Sequence, residues 1–259
     1  ARCAILGAVG DDDFGKFCLA DFRRHGVDVS GMQVGEGATT SLSIVLSDRE
    51  TGGRSIVYKK GSAKEPAAEE LPDAILTGCE WFFISHITEA SLKAAERAKK
   101  AGAKIIVDAD SYSSRLMEQI GLIDALVASE FFYEALFSDK NYEMNCRKLA
   151  SLGPSIAVVT LGEKGCVGYS AETGYFALPA YQVEVRDTVG AGDVFHGAYT
   201  AALLRGCNAL EAARLATAVS CIKCTRIGGR AGIPDLKTAE RFLETGEIDY
   251  QEIDERVRF

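Results

Sequence analysis

The apolar positions of this chain change period several times, and each change marks an element. Residues 3–9 form an unbroken apolar run closed by Gly10, the pattern of a strand buried in a parallel sheet. Phe17, Leu19 and Phe22 then recur at helical spacing as far as Gly26, behind aspartates at 11, 12 and 13 that suit a helix start. Over 40–47, Leu42, Ile44 and Leu46 alternate with polar or smaller residues; 48–53 reads as a turn and 54–58 as the returning strand of a hairpin. From residue 67 the rhythm becomes βα. Helices are predicted over 67–77, 88–101, 114–120, 129–137 and 142–152, and strands over 81–85, 104–107, 125–128 and 156–161. Two short strands follow at 166–169 and 175–178, then a strand-like alternation of Tyr181, Val183 and Val185 with Gln182, Glu184 and Arg186. Helices over 190–204, 209–224 and 235–244 complete the pattern.

Short β-branched runs separated by helices predict an α/β domain, a mostly parallel sheet covered on both faces. The hairpin breaks that alternation and reads as a small appended sheet. The predicted division is a body of 1–33 and 64–259 with an appendage of 34–63. Ligands of such sheets bind at the carboxyl ends of the strands. That rule gathers His86, Asp108, Asp110, Thr160 and the 187–193 loop at one end.

At 259 residues, with 47% hydrophobic and 25% charged residues, the chain can bury a large core. A net charge of −8 without a long basic run argues against nucleic acid or an anionic membrane as partner, and no apolar stretch reaches transmembrane length. Eight cysteines scattered through predicted core segments read as reduced thiols and give a cytoplasmic expectation. Cys221 and Cys224 form a Cys-x-x-Cys inside a helical run, which reads as a helix face and not as a metal or redox site. There is no Gly-x4-Gly-Lys-Ser/Thr, and no Gly-x-Gly-x-x-Gly after the first strand, so neither a P-loop nor a dinucleotide site is indicated.

The candidate chemistry lies at residues 186–195, Arg-Asp-Thr-Val-Gly-Ala-Gly-Asp-Val-Phe. Two glycines and a carboxylate sit where a loop becomes a helix. The first N–H groups of a helix lack internal partners and the dipole adds positive charge, so Gly190 and Gly192 open the backbone to an anion. Asp193 beside such a hole suits removal of a proton from a hydroxyl that attacks phosphate.

The string Asp187-Thr-Val-Gly-Ala-Gly-Asp193 closely resembles the C-terminal signature of the ribokinase-like (PfkB) carbohydrate kinases. The resemblance implies a ribokinase-like three-layer α/β/α sandwich with a β-sheet lid over the sugar, and ATP-dependent phosphorylation of a sugar hydroxyl. It makes Asp193 the general base and a substrate contact, and gives the phosphoryl-binding N–H groups to Gly190, Ala191 and Gly192. Thr160, Gly162 and Gly165, in Thr-Leu-Gly-Glu-Lys-Gly, resemble the family's nucleotide turn; a plain hairpin turn explains them equally. Asp187, Thr188, Gly228 and Gly229 fall on the cofactor side. Many members hold a monovalent cation such as K⁺ between the Asp187 loop and the glycine-rich 225–234 segment. Mg²⁺ would bridge the phosphates, yet where relatives carry Asn-x-x-Glu this chain reads Ser129-Glu130-Phe131-Phe132, leaving Glu130 as the substitute ligand. His86 falls where relatives place a substrate-contacting side chain, although a lone His after a strand is more often structural; Lys59 or Lys60, under the lid, is a candidate contact for an anionic substituent, although lid charges are more often solvated. For the three aspartates at 11–13, helix capping is preferred to a metal site.

Residues 10–15 resemble the family's Val-Gly-x-Asp-x-x-Gly element, which follows an earlier strand and a Gly-Gly motif. The expectation is therefore a longer natural protein, with an N-terminal βα unit absent here and a gap in the central sheet beside 3–9. The family often pairs lids, which predicts a homodimer. The motifs at 193–198 and 224–234 look most like bacterial sugar kinases, including ketohexose-type members and sulfofructose kinase. The alternatives are a nucleoside kinase of the same fold and a non-catalytic pseudokinase that binds nucleotide or sugar.

Overall fold

The computed structural model describes residues 1–47 and 54–256, so the turn expected at 48–53 lies outside the described residues, as do 257–259. The chain divides into two compact units, one of Ala1–Cys79 and Thr88–Gly102, the other of Glu80–Ile87 and Ala103–Phe259. The predicted divisions after 33 and after 63 both fall inside the first unit.

In the first unit β1 (Cys3–Gly10) pairs in parallel with β2 (Val27–Gly35), and α1 (Asp13–Arg24) forms the crossover. The apolar run 3–9 is not the buried central strand it suggests. Val9 and Gly10 are buried, the rest is half-buried or exposed, and β2 is the one strand it pairs with among the described residues. β1 therefore belongs to a two-stranded sheet and not to the central one. β2 escaped the periodicity reading because Val27 and Val29 alternate with Asp28 and Ser30 only briefly before Gly31.

Two of the aspartates at the start of α1, Asp12 and Asp11, hold backbone N–H groups. Asp12 caps the helix through the Gly15 N–H (2.9 Å) and also accepts the N–H and hydroxyl of Thr40 at 2.8 and 2.6 Å. Those bonds, the Thr40 hydroxyl first, hold Asp12 below the usual carboxylate range. Asp11 accepts the Gly37 N–H at 2.9 Å.

The predicted hairpin forms: β3 (Leu42–Ser47) and β4 (Arg54–Lys59) are antiparallel, with Ile44 opposite Val57. The helix predicted over 67–77 is broken into a single 3₁₀ turn at Ala68–Glu70 and α2 (Asp73–Gly78). Pro72 sits between them as the N-cap of α2, and its missing N–H and fixed φ prevent a continuous helix. α3 (Glu89–Lys100) starts from a Thr88–Ser91 capping box, and Arg97 reaches from it to the carbonyls of Ala68 and Leu71.

The second unit holds a six-stranded sheet in the order β10-β9-β8-β7-β6-β5. β5 (Trp81–Ile84), β6 (Lys104–Ala109), β7 (Ala125–Ser129) and β8 (Ile156–Thr160) are parallel; β9 (Cys166–Ser170) and β10 (Gly174–Leu178) continue antiparallel. α4 (Ser114–Glu118), α5 (Glu130–Leu136) and α6 (Tyr142–Ser151) fall between the strands, and α7 (Ala191–Leu204), α8 (Ala209–Lys223), α9 (Leu236–Thr245) and α10 (Tyr250–Arg256) after them. Val158 joins the core built with α7 and α8, while Ala157 and Val159, equally buried, point to the opposite face. Both faces of the sheet are therefore covered, giving the three layers that the strand pattern predicts.

The alternating run 181–186 does not form a strand. Tyr181 packs edge-on against Phe242 and Val183 packs against the core, whereas Gln182 and Glu184 are exposed. The alternation thus reports one-sided burial at Tyr181 and Val183 without ladder pairing, and Val185 is exposed. The segment ends by donating the Arg186 and Asp187 N–H groups to the Cys224 carbonyl, at 2.7 and 3.1 Å. No helix among the described residues is long and apolar enough to cross a membrane.

Candidate active site

The site is built where the 186–190 loop turns into α7. Gly190 is the N-cap, with φ +76°, and a Cβ there would lie 2.8 Å from the Gly229 carbonyl oxygen. Only glycine meets both conditions without strain. The Ala191 N–H folds back on the Thr188 carbonyl at 3.1 Å, and the Val194 N–H makes the first helical bond, to Gly190, at 3.0 Å. Among the described residues the N–H groups of Gly190, Gly192 and Asp193 have no acceptor. They face the positive end of a helix from Ala191 to Leu204, an arrangement that binds anions. Of the three donors expected from the sequence, Ala191 is the one already committed. Asp193 is exposed in the first turn and also lines a cleft of about 540 Å³ with Gly197, Leu215, Val219 and Ile233.

Two segments clamp this loop. Asp187 accepts the Val189 N–H at 2.9 Å with one carboxylate oxygen and the Gly228 N–H at 2.8 Å with the other. Asp187, Thr188, Gly228 and Gly229 are therefore contiguous with Gly190–Asp193. The second clamp is α8. Lys223, wholly buried, donates from its ammonium to the carbonyls of Asp187 (3.1 Å) and Val189. Ser220, one turn earlier, donates its hydroxyl to the Ala191 carbonyl at 2.9 Å. Thr217, a turn earlier again, meets the Cys166 thiol at 3.7 Å, and Cys166 pairs across the sheet with Thr160. One face of α8 thus ties the 160–165 turn to the 187–193 loop. Sequence reasoning missed all three residues; with the exposed Glu211 and Arg214 they fall at every third position of α8, a spacing that reads as a solvated helix face, whereas Thr217 and Lys223 are buried.

The 160–165 turn joins β8 to β9, so it is a hairpin turn whatever else it does. Gly165, at φ +91°, packs so tightly that a Cβ would lie 2.0 Å from the Leu178 carbonyl oxygen. Thr160 donates to the Ala128 carbonyl at 3.3 Å. Lys164, in this turn, lies 3.6 Å from Glu130 at the start of α5, and Lys140 lies 3.3 Å from the same carboxylate. Glu130 is thus beside the turn, but two ammonium groups already face it. Among the described residues no three His, Cys, Asp or Glu side chains gather to hold a metal. What fits Mg²⁺ here is a site in which phosphate oxygens and water supply most ligands and Glu130 at most one.

His196, also missed from the sequence, sits one turn into α7. Its Nε2 lies 3.2 Å from the carboxylate of Asp108 at the end of β6, and its ring packs near Phe83 of β5 at 6.0 Å. The buried Nδ1 has no hydrogen-bond partner. Asp108 is thereby engaged in holding α7 on the strand ends. Asp110 accepts the Ser129 hydroxyl through its carbonyl. His86 is exposed after β5, with Nδ1 3.2 Å from the Ser85 hydroxyl, and Lys59 is exposed at the end of β4 in the first unit. All eight cysteines are free; burial pushes the Cys221 thiol up to about 11, so the Cys-x-x-Cys is an inert helix face.

Residues 1–236 match the family described as pfkB family carbohydrate kinase. The 2-dehydro-3-deoxygluconokinase of Thermoproteus tenax is 28% identical over 271 residues, covering 94% of this chain and 80% of its own length. The aminoimidazole riboside kinase of Salmonella typhimurium is 30% identical over 239 residues, covering 85% of this chain and 73% of its own. A candidate ribokinase II from E. coli, solved in complex with ATP and Mg²⁺, matches with a TM-score of 0.84 at 26% identity, covering 94% of this chain and 83% of that one.

Proposed function

The chain belongs to the pfkB family of carbohydrate kinases, and from that premise we propose that it transfers the γ-phosphoryl group of ATP to a hydroxyl of a small sugar or sugar derivative, with Asp193 as the general base. The observation that carries this reading is an exposed carboxylate in the same helical turn as N–H groups without acceptors. The acceptor hydroxyl donates its proton to Asp193 as its oxygen attacks the γ-phosphorus. The new P–O bond forms while the bond to the β,γ-bridging oxygen breaks, and ADP leaves. Charge on the phosphoryl oxygens is met by the N–H groups of Gly190 and Gly192 and the dipole of α7. Glu130 is the candidate protein ligand for Mg²⁺, which would supply positive charge to the phosphates of ATP when bound. The turn of Thr160, Gly162 and Gly165 and the Gly228–Gly229 segment are the candidate nucleotide contacts.

The named relatives act on different acceptors by their names, one a 2-dehydro-3-deoxygluconate and one an aminoimidazole riboside. The 30% identity to a riboside kinase supports the nucleoside alternative. His86 is the candidate sugar contact of the second unit, and Lys59 remains a separate candidate in the first. The test is turnover with ATP·Mg²⁺ against ketoses, aldoses, their anionic derivatives and nucleosides, repeated with Asp193→Asn. Loss of a positioned general base should lower kcat by about 10²–10⁴-fold with nucleotide binding retained. Near-normal kcat in the variant removes Asp193 from the mechanism. Nucleotide binding without turnover on any acceptor returns the pseudokinase reading.

A further inference from the structure

An ammonium wholly removed from water needs oxygens for its donors. Lys223, the last residue of α8, finds two of them on the carbonyls of Asp187 and Val189. A peptide unit is planar, so its C=O and the following N–H point in opposite directions. Val189 C=O and Gly190 N–H are one such unit. Drawing the carbonyl toward α8 turns the N–H away from α8, toward the space before Asp193. Ser220 repeats the arrangement, holding the Ala191 carbonyl at 2.9 Å and so aiming the Gly192 N–H. The two donors assigned to the transferring phosphoryl are thus set from behind by two side chains on one face of one helix.

We propose that Lys223 is a positioning residue that serves as a tethered cation for the phosphoryl-binding loop, so that this kinase needs no free monovalent cation. The K⁺ that the family resemblance places between the Asp187 loop and the 225–234 segment does not fit here. The carbonyls it would share already hold an ammonium, and both Asp187 carboxylate oxygens hold N–H groups of the same two segments. This inference rests on the reading of 187–193 as the phosphoryl site.

The experiment is calorimetric binding of AMP-PNP·Mg²⁺, with ionic strength held by tetramethylammonium chloride while K⁺, Na⁺ or NH₄⁺ is added. Wild type should show the same Kd, within a factor of two to three, in every salt. Lys223→Met should bind about tenfold more weakly or worse in tetramethylammonium, and K⁺ or NH₄⁺ should restore most of the loss. Where an acceptor is known, the restored term should be kcat more than the acceptor KM. Wild-type affinity that rises tenfold with K⁺ overturns the proposal, as does Lys223→Met that binds normally without K⁺ or is not rescued by any cation. If Lys223→Met does not fold, Lys223→Arg joins the wild-type series, and activation of either protein by K⁺ gives the same refutation. Failure to phosphorylate any acceptor with this binding pattern intact would count against the kinase reading and leave the tethered cation standing.

Discussion

The two glycines of the Gly190-Ala-Gly192 stretch should answer to substitution in opposite ways. Gly190 sits at φ +76°, and an alanine Cβ there would lie 2.8 Å from the Gly229 backbone oxygen. The left-handed conformation costs a non-glycine residue roughly 1–2 kcal/mol, and forcing a backbone neighbour aside adds about 1–3 kcal/mol. Gly190→Ala should therefore lose about 2–5 kcal/mol, a fall in Tm of roughly 4–20 °C for a chain of this size. At Gly192 a Cβ would meet nothing within 4 Å. Alanine suits a helix better than glycine by up to about 0.5–1 kcal/mol, so Gly192→Ala should be as stable as the parent or slightly more so. Its methyl, however, adds bulk between the Gly192 and Asp193 N–H groups, which in the proposed reaction meet a phosphoryl oxygen. Losing one such donor costs about 10²–10³-fold in kcat, and Gly192→Ala should lose turnover on that scale while keeping its Tm. Thermal unfolding with steady-state kinetics on the acceptor identified by the panel measures both. A fully active Gly192→Ala would refute the assignment of the phosphoryl group to this helix start. A Gly190→Ala variant with unchanged Tm would refute the geometric account of the loop.

Other outcomes follow from separate parts of the chain. His196→Leu leaves the mostly buried Asp108 carboxylate without its imidazole and should cost about 1–3 kcal/mol; a denaturant midpoint equal to wild type would mean the pair holds nothing in place. Burial raises the Cys146 thiol from an ordinary 9.0 to about 12 and Cys166 to about 11. Their stabilising contribution is full below pH 9 and is lost as pH rises toward 11–12. A Cys146→Ala/Cys166→Ala protein should lose less stability than wild type in urea titrations between pH 9 and 11, and parallel curves would contradict this. The β3–β4 hairpin exposes Ile44, Leu46, Ile56, Val57 and Tyr58 by more than half, and we propose that a second copy of the chain covers them. Sedimentation at micromolar concentration should give a dimer that Ile44→Lys/Val57→Lys disrupts, and a monomeric wild type would sink the idea.

What could be read from the sequence was whatever depends on neighbours along the chain. Strands β5–β8 and the helices between them follow from periodicity, and the 187–193 string from a strand-end loop running into a helix. Where the reading failed, local pattern and three-dimensional partner had come apart. Tyr181 and Val183 alternate with polar residues because they pack on Phe242 and the core, and alternation cannot say whether a strand lies alongside. Residues 3–9 are apolar because they line a small sheet, and hydrophobicity does not tell a half-covered strand from a central one. The site shows the same limit more sharply. Asp193, Gly190 and Gly192 announce themselves by type and spacing, yet the side chains that hold the carbonyls of their loop lie about thirty residues away. Thr217, Ser220 and Lys223 do leave a trace: with Glu211 and Arg214 they put a polar side chain at every third position of a helix otherwise built from alanine, leucine, valine, isoleucine and cysteine. From sequence such a stripe reads as a solvated face, as it is at Glu211 and Arg214; the burial of Thr217 and Lys223 is what implies acceptors, since a buried ammonium or hydroxyl without one is too costly to persist. Neither that burial nor the carbonyls that answer it can be drawn from the sequence, because both depend on how α8 meets the loop that opens α7, and the charge at position 223 has its meaning only there.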